Sequence, residues 1–308
     1  MSRMPIALLF PGQGTQKEAM GEPWRETPSW ALTRDISEVT GEDIAGLLLH
    51  TPGERLRRTD LAQLAVFSLS VIAHAEAVRR DALGGPVVAC AGHSLGEYAA
   101  LVAAGALTVP AAAALVAARG RAMRRAAEAR EGTMGVLVAA PLDEVTALTE
   151  HMRADGFEVW VANVNAPGQT VVSGSADGID RIADLAPSIG AKLIRLQVGG
   201  AFHSPYMAPA ADTLRTALKN APFTPARLPV VANVDAEAHA GDADWPELGT
   251  RQLTSPVLWE QSVRTLVGRP LGCARLVELG PGRTLAGLVR RITPDTEVVS
   301  LDAPGALD

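Results

Sequence analysis

The segment from residue 87 to residue 98 constrains the fold of this chain more than any other feature. It reads as a short apolar strand, Val87–Cys90, followed by the pentapeptide Gly92–Gly96 (GHSLG) and the start of an Ala-rich helix. A G-x-S-x-G turn between a strand and a helix holds its serine in a strained conformation, and its glycines let neighbouring chains approach closely. The segment therefore predicts an α/β fold with Ser94 presented at the N-terminus of a helix.

Strands and helices alternate along most of the rest of the chain. Apolar runs at Ile6–Phe10, Leu228–Val231 and Arg275–Glu278 predict strands, and Ala/Leu-rich stretches at Leu61–Arg80 and Ala99–Arg119 predict helices. Alternation of this kind favours a parallel sheet flanked by helices. Together with the serine turn, it predicts a large α/β-hydrolase-like domain with a parallel sheet.

The segment 131–198 follows a different order of elements. Its pattern is strand, helix, strand, strand, helix, strand, which is the β-α-β-β-α-β order of ferredoxin-like domains. Turn-forming glycines lie at both borders, Gly132 on one side and Gly199 and Gly200 on the other. We therefore predict a small ferredoxin-like domain, 131–198, inserted into the large domain, 1–130 and 199–308. The predicted elements of the small domain are Met134–Ala140, Leu142–Arg153, Val159–Asn165, Thr170–Gly174, Ala176–Ala186 and Lys192–Val198.

Composition narrows the class of protein. A hydrophobic content of 47% over 308 residues supplies enough apolar side chains for a large core. The two cysteines, Cys90 and Cys273, lie in no C-x-x-C motif or Cys/His cluster, so neither a disulfide framework nor a metal site is predicted. The apolar run Met4–Phe10 is too short for a signal-peptide core or a membrane span. We expect a cytoplasmic protein.

The chain is acidic as a whole but contains a local cluster of basic residues. The net charge of −6 argues against a nucleic-acid partner, because phosphate backbones require clustered positive charge. Arginines nevertheless cluster within twelve residues and again as a pair downstream. They form either a solvated helix face or a docking surface for an acidic partner. These arginines are Arg119, Arg121, Arg124, Arg125, Arg130, Arg290 and Arg291.

Ser94 is the candidate nucleophile, and its setting also predicts part of an oxyanion hole. Free N–H groups and the positive end of the dipole at a helix N-terminus stabilise a developing oxyanion, and the N–H of Leu95 is the natural first donor. The alternative is a glycine-bounded turn with a capping serine.

His203 is the candidate base that would remove the proton of the serine hydroxyl. It lies in the Gly-rich segment Gly199–Pro205, where the chain re-enters the large domain. Four of the other histidines, His50, His74, His151 and His239, lie in polar or helical surroundings without turn signals. His93 adjoins Ser94, but its side chain would leave the turn in another direction and pack behind it. A long segment, 204–308, follows the histidine, whereas an ordinary α/β-hydrolase has its histidine near the C-terminus, and this order argues against a plain esterase.

Short motifs in a fixed order connect these residues. They are Pro11–Gln16 (PGQGTQ), Gly92–Glu97 (GHSLGE), Arg119-Gly120, Asn165–Gln169 (NAPGQ), Ala201–Ser204 (AFHS), Gln252 with Pro256-Val257, and Glu278–Gly282 (ELGPG). Together they resemble the motifs of malonyl-CoA:acyl carrier protein transacylases, the acyltransferases that serve fatty-acid and polyketide synthases. The resemblance covers nearly the whole chain.

The resemblance implies roles for residues around the nucleophile. Ser94 would carry the acyl group, and His203 would act as its general base and acid. The backbone N–H groups of Gln13 and Leu95 would form the oxyanion hole. The main-chain carbonyl of Gln252 would orient His203 in place of a triad aspartate.

The resemblance also implies an acyl pocket. Arg119, on the helix that follows the serine turn, would hold a malonyl carboxylate with two parallel hydrogen bonds. Otherwise it would belong to the exposed basic face. Phe202 would crowd out acyl chains branched beside the thioester. Gln63 and Asn165 would line the pocket, although the proline that usually follows the glutamine is Leu64 in this chain.

The implied reaction is a ping-pong transfer of a malonyl group from malonyl-CoA to the phosphopantetheine thiol of an acyl carrier protein, without a cofactor. We expect a monomer with no nucleic-acid or membrane partner. Three alternatives are an acyltransferase for another, specialised acyl group of polyketide synthesis, an editing hydrolase that cleaves acyl groups from carriers, and a non-catalytic carrier-docking module. The residues expected to dock the carrier are Arg121, Arg124, Arg125, Arg290 and Arg291.

Overall fold

In residues 4–307, which the computed structural model describes, the strands form two sheets. In chain order the strands are β1 (Ile6–Phe10), β2 (Val87–Gly92), β3 (Thr133–Val138), β4 (Val159–Ala166), β5 (Gln169–Gly174), β6 (Lys192–Arg195), β7 (Ala226–Val231), β8 (Ala238–Gly241), β9 (Arg275–Leu279) and β10 (Glu297–Leu301). The large sheet has the order β10-β9-β1-β2-β7-β8 and the small sheet the order β4-β5-β3-β6. In the large sheet the pairs from β10 to β7 are parallel, and the edge strand β8 is antiparallel to β7.

Helices connect the strands and cover the sheets. In chain order they are α1 (Leu32–Thr40), α2 (Ile44–His50), α3 (Gly53–Leu56), α4 (Thr59–Arg79), α5 (Gly96–Ala103), α6 (Val109–Ala129), α7 (Leu142–Ala154), α8 (Ala176–Leu185), α9 (Ala208–Asn220), α10 (Trp245–Gln252), α11 (Trp259–Val267) and α12 (Thr284–Ile292). Short 3₁₀ turns lie at Glu22–Trp24, Pro28–Ala31, Ala186–Ile189, Pro205–Met207 and Pro304–Leu307.

The central strand β1 shows how the large sheet builds the core. All five of its residues are buried, as expected for a strand covered on both faces. Ile6, Leu8 and Phe10 pack into one core with α4, α5 and α6, whereas Ala7 and Leu9 pack into another with α11 and α12. Successive side chains of a strand point to opposite faces, so one short apolar run supports two helical layers.

The small sheet is antiparallel, and its strands all lie between residues 133 and 195. Their order along the chain is the predicted β-α-β-β-α-β. Leu137 and Val172 pack against α7 and α8, while their neighbours Val136 and Val171 point to the opposite face. The predicted fold class, a large α/β-hydrolase-like part with a parallel sheet and an inserted ferredoxin-like part, is confirmed. The domain borders at 131 and 198 stay a prediction.

The small sheet is joined to the large part of the chain by backbone hydrogen bonds. The N–H of Val164 donates to the carbonyl of Val257, and the N–H of Val257 donates to the carbonyl of Ala162, both over 2.9 Å. Asn163 and Val257 thereby form a parallel bridge at the edge of β4. The segment after α10 therefore extends the small sheet by one short pairing.

One sequence prediction about the helices is wrong, and two strands of the large sheet were not predicted. The predicted single helix Ala99–Arg119 is two helices, because Gly105 adopts φ +76° after α5 and Thr108 caps a new helix. Arg119 therefore lies on the second helix after the serine turn. The strands β8 and β10 were missed; β8 is only four residues long and lacks an apolar pattern.

Helix α4 is the one helix of residues 4–307 that is long and apolar enough to cross a membrane. In this protein 83% of its most apolar 18-residue stretch is buried inside the fold. It packs against α6 at the centre of the larger core, so its hydrophobicity is that of a core helix.

Candidate active site

Ser94 lies in a sharp turn between β2 and α5. Its φ of +52° falls in the left-handed region, which a residue with a Cβ adopts only when its surroundings enforce it. A Cβ on Gly92 would overlap the backbone of Gly96, and a Cβ on Gly96 would overlap the carbonyl oxygen of Phe10. The two glycines of the motif are therefore required by the close approach of β1, β2 and α5.

His203 contacts the serine directly. Its Nε2 lies 2.7 Å from Ser94 Oγ, and its Nδ1 lies 2.9 Å from the main-chain oxygen of Gln252. Because a carbonyl can only accept, Nδ1 carries the proton and Nε2 is free to accept the serine proton. Burial, and then the positive charge of Arg119, lower the pKa of His203 to about 3. The imidazole is thus neutral at pH 7.

Arg119 lies beside the nucleophile and is only 1% exposed. Its Nη1 donates to Gln63 Oε1 over 2.7 Å, and its Nη2 donates to Ser94 Oγ over 3.0 Å and to Gln252 Oε1 over 2.9 Å. Its Nε has no hydrogen-bond acceptor among residues 4–307. Burial lowers the pKa of Arg119, yet a guanidinium stays charged at neutral pH. The site therefore contains a buried cation with an unused donor.

A buried carboxylate that sequence reasoning missed supports this arrangement. Glu97, 2% exposed, accepts from Gln252 Nε2 over 2.9 Å and from the N–H of Asn233 over 2.8 Å. Gln252 Nε2 also donates to the carbonyl of Ser94 over 3.0 Å. Burial raises the pKa of Glu97 to about 7. Every polar atom of the Gln252 amide is thus engaged, which fixes the orientation of this side chain.

Asn233 holds the serine turn from the other side. Its Oδ1 accepts from the N–H of Ser94 over 2.6 Å, and its Nδ2 donates to the carbonyl of Gly92 over 2.7 Å. These bonds satisfy two backbone groups of the strained turn. The one sequence signal for this network was Glu97, an acid at the start of an otherwise apolar buried helix; Asn233 gave none.

The two residues predicted to form an oxyanion hole lie in the serine turn and in the loop after β1. Leu95 follows Ser94 directly, and Gln13 lies in the loop after β1, which lines the same cavity as Ser94. Within the described part of the chain, no hydrogen bond uses the backbone N–H of either residue. Neither donor is therefore committed to a bond within the described fold.

A cavity of about 410 Å³ opens in front of Ser94. It lies between the two sheets, because Met134, Val136 and Val171 of the small sheet line it together with Ser94 and the loop after β1. The inserted part of the chain therefore forms one wall of the site.

The chemistry of the cavity wall combines a few cations with uncharged groups. Among residues 4–307, Arg57 and Arg119 are the arginines that line it, and no aspartate or glutamate does. Phe202 and Asn165 line it, and Asn165 Oδ1 lies 2.9 Å from His93 Nε2. Gln63 is fully buried behind Arg119 and does not line the cavity.

The predicted docking arginines on α6 differ in their environment. Arg121 and Arg125 are exposed and make no ion pair within the described residues. Arg124 is half-buried and pairs with Asp60 at 3.5 Å and with Glu128 at 3.4 Å. Arg121 and Arg125 are therefore the more available of the three.

The two arginines at the end of α12 also differ in their contacts. Arg290 is exposed, whereas Arg291 donates to the side chain of Gln169 and, over 2.9 Å, to the carbonyl of Pro167. Arg291 therefore links α12 to the turn between β4 and β5.

Comparison with known proteins gives similarity over nearly the whole chain. A family model described as acyl transferase domain matches residues 7–292. The malonyl CoA-acyl carrier protein transacylase of Bacillus subtilis is 37% identical over 306 residues, which cover 98% of this chain and 95% of the relative.

Solved structures give the same result. The malonyl CoA-acyl carrier protein transacylase of Coxiella burnetii superposes with a TM-score of 0.91 at 34% identity, covering 99% of this chain and 96% of that one. A malonyl-transacylase solved in complex with a holo type II PKS acyl carrier protein has a TM-score of 0.91 at 32% identity, covering 98% of this chain and 97% of that one.

Proposed function

The chain belongs to the acyl transferase domain family, and from this premise we propose that it moves a malonyl group from malonyl-CoA to the phosphopantetheine thiol of an acyl carrier protein. The observation that carries the proposal is the contact of Ser94 Oγ with both His203 Nε2 and the buried guanidinium of Arg119. A nucleophile, a base and a fixed cation thus meet at one cavity.

The first half-reaction acylates the serine. His203 takes the proton of Ser94 as the oxygen attacks the thioester carbonyl, and the N–H groups of Gln13 and Leu95 stabilise the oxyanion. His203 then gives its proton to the departing sulfur of coenzyme A. The Gln252 carbonyl keeps the imidazole in the required tautomer throughout.

The second half-reaction reverses these roles. His203 takes the proton of the carrier thiol, the sulfur attacks the acyl-serine ester, and the proton returns to Ser94 as the ester bond breaks. The proposed steps use groups of the chain and its two substrates, and we propose no metal or other cofactor. Because water would compete with the thiol, the wall formed by the small sheet has the role of excluding it.

Arg119 selects a carboxylated acyl group in two ways. Its guanidinium offers paired donors to a carboxylate, which an acetyl group lacks. Its charge also depresses the pKa of His203, so a bound carboxylate that neutralises this charge raises the basicity of the imidazole. A malonyl group therefore improves both binding and the proton transfer that follows.

The remaining pocket residues act through packing and hydrogen bonds. Phe202 limits the space beside the thioester, and Asn165 orients His93, which lines the cavity with Ser94 rather than packing behind the turn as predicted. Gln63 and Gln252 hold the guanidinium of Arg119 from two sides. Their role is to keep the cation aligned with the nucleophile.

The carrier protein approaches on a basic face. We propose that Arg121, Arg125 and Arg290 contact its acidic surface, with Arg124 and Arg291 contributing less because both are held by other groups. We also propose that the protein acts as a cytoplasmic monomer, with the small domain bounded at 131 and 198.

Intact-mass spectrometry tests the proposed function. Wild-type protein mixed with malonyl-CoA should gain the mass of one malonyl group, Ser94→Ala should gain none, and addition of holo acyl carrier protein should move the group to the carrier. Loss of the group to water at the same rate with and without the carrier would instead support the editing hydrolase. No labelling of the wild type would support the non-catalytic module.

A further inference from the structure

We propose that Arg57 binds the phosphate at the far end of the pantetheine arm, both in malonyl-CoA and in the holo acyl carrier protein. This inference rests on the proposed function and extends it to a second anchoring point. It assigns an anion site at the mouth of the cavity, separate from the acyl site at Arg119.

The first support is the charge of the cavity wall. Its lining within residues 4–307 contains the guanidinium groups of Arg57 and Arg119 and no carboxylate. In the described lining, therefore, no carboxylate pairs with these cations and weakens their attraction for an anionic ligand. A ligand with an anionic group at each end matches this distribution.

The second support is the depth of the two cations. Arg119 is buried against Ser94, whereas Arg57 is exposed in the turn between α3 and α4. Uncharged polar side chains such as Gln13 and Gln16 line the cavity as well. A malonyl-pantetheine phosphate has the same sequence of groups, with a carboxylate, a neutral arm containing amides, and a phosphate.

The third support is that Arg57 has no competing partner in the described chain. The adjacent Arg58 donates twice to Asp60, each time over 2.9 Å, and is therefore committed to a structural pair. Arg57 makes no such bond or ion pair. A guanidinium can offer two parallel N–H donors to a phosphate, and an unpaired one need not break an existing contact to do so.

Both acyl donors and acceptors carry this chemistry. Coenzyme A and the carrier's prosthetic group each have a phosphate group joined to the pantetheine arm. One cation at the mouth therefore serves both half-reactions, because each thiol reaches Ser94 through the same cavity.

The test compares Arg57→Ala with Arg55→Ala, a matched variant of an exposed arginine on α3 that lies outside the cavity lining. Acylation of Ser94 is measured by rapid-quench intact mass with malonyl-CoA and with malonyl-pantetheine, which lacks the phosphate. Transfer is measured separately with holo acyl carrier protein. We expect Arg57→Ala to raise KM about tenfold for malonyl-CoA and for the carrier, with kcat changed less than about twofold.

The same variant should leave KM for malonyl-pantetheine unchanged, and Arg55→Ala should match the wild type with all substrates. Unchanged kinetics with malonyl-pantetheine also show that the variant folds. Three results would each overturn the inference. They are an equal rise of KM for malonyl-pantetheine, no rise of KM for malonyl-CoA, and a rise of KM for malonyl-CoA without one for the carrier. Failure of the wild type to label with malonyl-CoA would instead refute the proposed function, so the two failures are distinguishable.

Discussion

Replacing Glu97 by glutamine tests the buried network under the nucleophile. Burial raises the pKa of Glu97 from 4.5 to about 7; the bonds from Asn233 and Gln252 and the charge of Arg119 oppose this shift, and the charge of Asp235 adds to it. The folded protein therefore binds this proton more tightly than the unfolded chain does. Stability must fall as the pH rises from 4.5 to 7, by about 3 kcal/mol for a shift of this size.

The assay is urea unfolding of the wild type and of Glu97→Gln at pH 4.5, 6 and 8. The variant cannot titrate at this position, so the difference in unfolding free energy between the two proteins should change by about 3 kcal/mol across the window, in favour of the variant at high pH. Glu38→Gln, at an exposed position on α1, is the control and should follow the wild type. A difference that stays constant with pH would refute the reasoning.

The same variant should also lose activity. A glutamine side chain has one acceptor oxygen, so its NH₂ group must face either the Gln252 amide or the Asn233 N–H, donor against donor. We expect kcat to fall about tenfold or more, because Gln252 then no longer holds His203 and Arg119 in place. Activity equal to the wild type would show that the network does not position these groups.

Further variants test the acyl site and the basic face. Arg119→Ala should lose about 100-fold in kcat/KM for malonyl-CoA but not for acetyl-CoA, because the carboxylate loses two charge-assisted bonds; retained malonyl preference in a competition assay would contradict the assignment. Phe202→Ala should raise kcat/KM for methylmalonyl-CoA relative to malonyl-CoA by about tenfold, and an unchanged ratio would exclude steric control by this ring. Replacing Arg121 and Arg125 by glutamate should raise KM for the holo carrier and weaken the salt dependence of this KM, while labelling by malonyl-CoA stays normal. Carrier kinetics equal to those of the wild type would show that the carrier docks on another surface.

Features that depend on nearby residues could be predicted from the sequence. The serine turn, strand β1 and the β-α-β-β-α-β order follow from local apolar patterns and glycine positions. The break between α5 and α6 was missed although its signals, Gly105 and Pro110, are also local, because the Ala-rich composition on both sides favoured one continuous helix.

The support of the site could not be predicted in the same way. Glu97 and Asn233 are bonded across 136 positions of sequence, and Gln252 and Glu97 across 155. No periodicity connects such residues, and only the packing of β2, β7 and α10 brings them together. The resemblance to a family supplied roles for Arg119 and Gln252, but it assigned none to Glu97, although this residue ends the GHSLGE motif.

The pairing of β4 with Val257 has a consequence for motion. Five positions earlier in the chain, the carbonyl of Gln252 holds the imidazole of His203. A single short stretch of backbone therefore pairs with the small sheet, which forms one wall of the cavity, and also orients the base. A displacement of β4 would therefore also shift the backbone oxygen that holds the His203 imidazole against Ser94. The geometry of the base and the position of the cavity wall are thus coupled through six residues of backbone, 252–257.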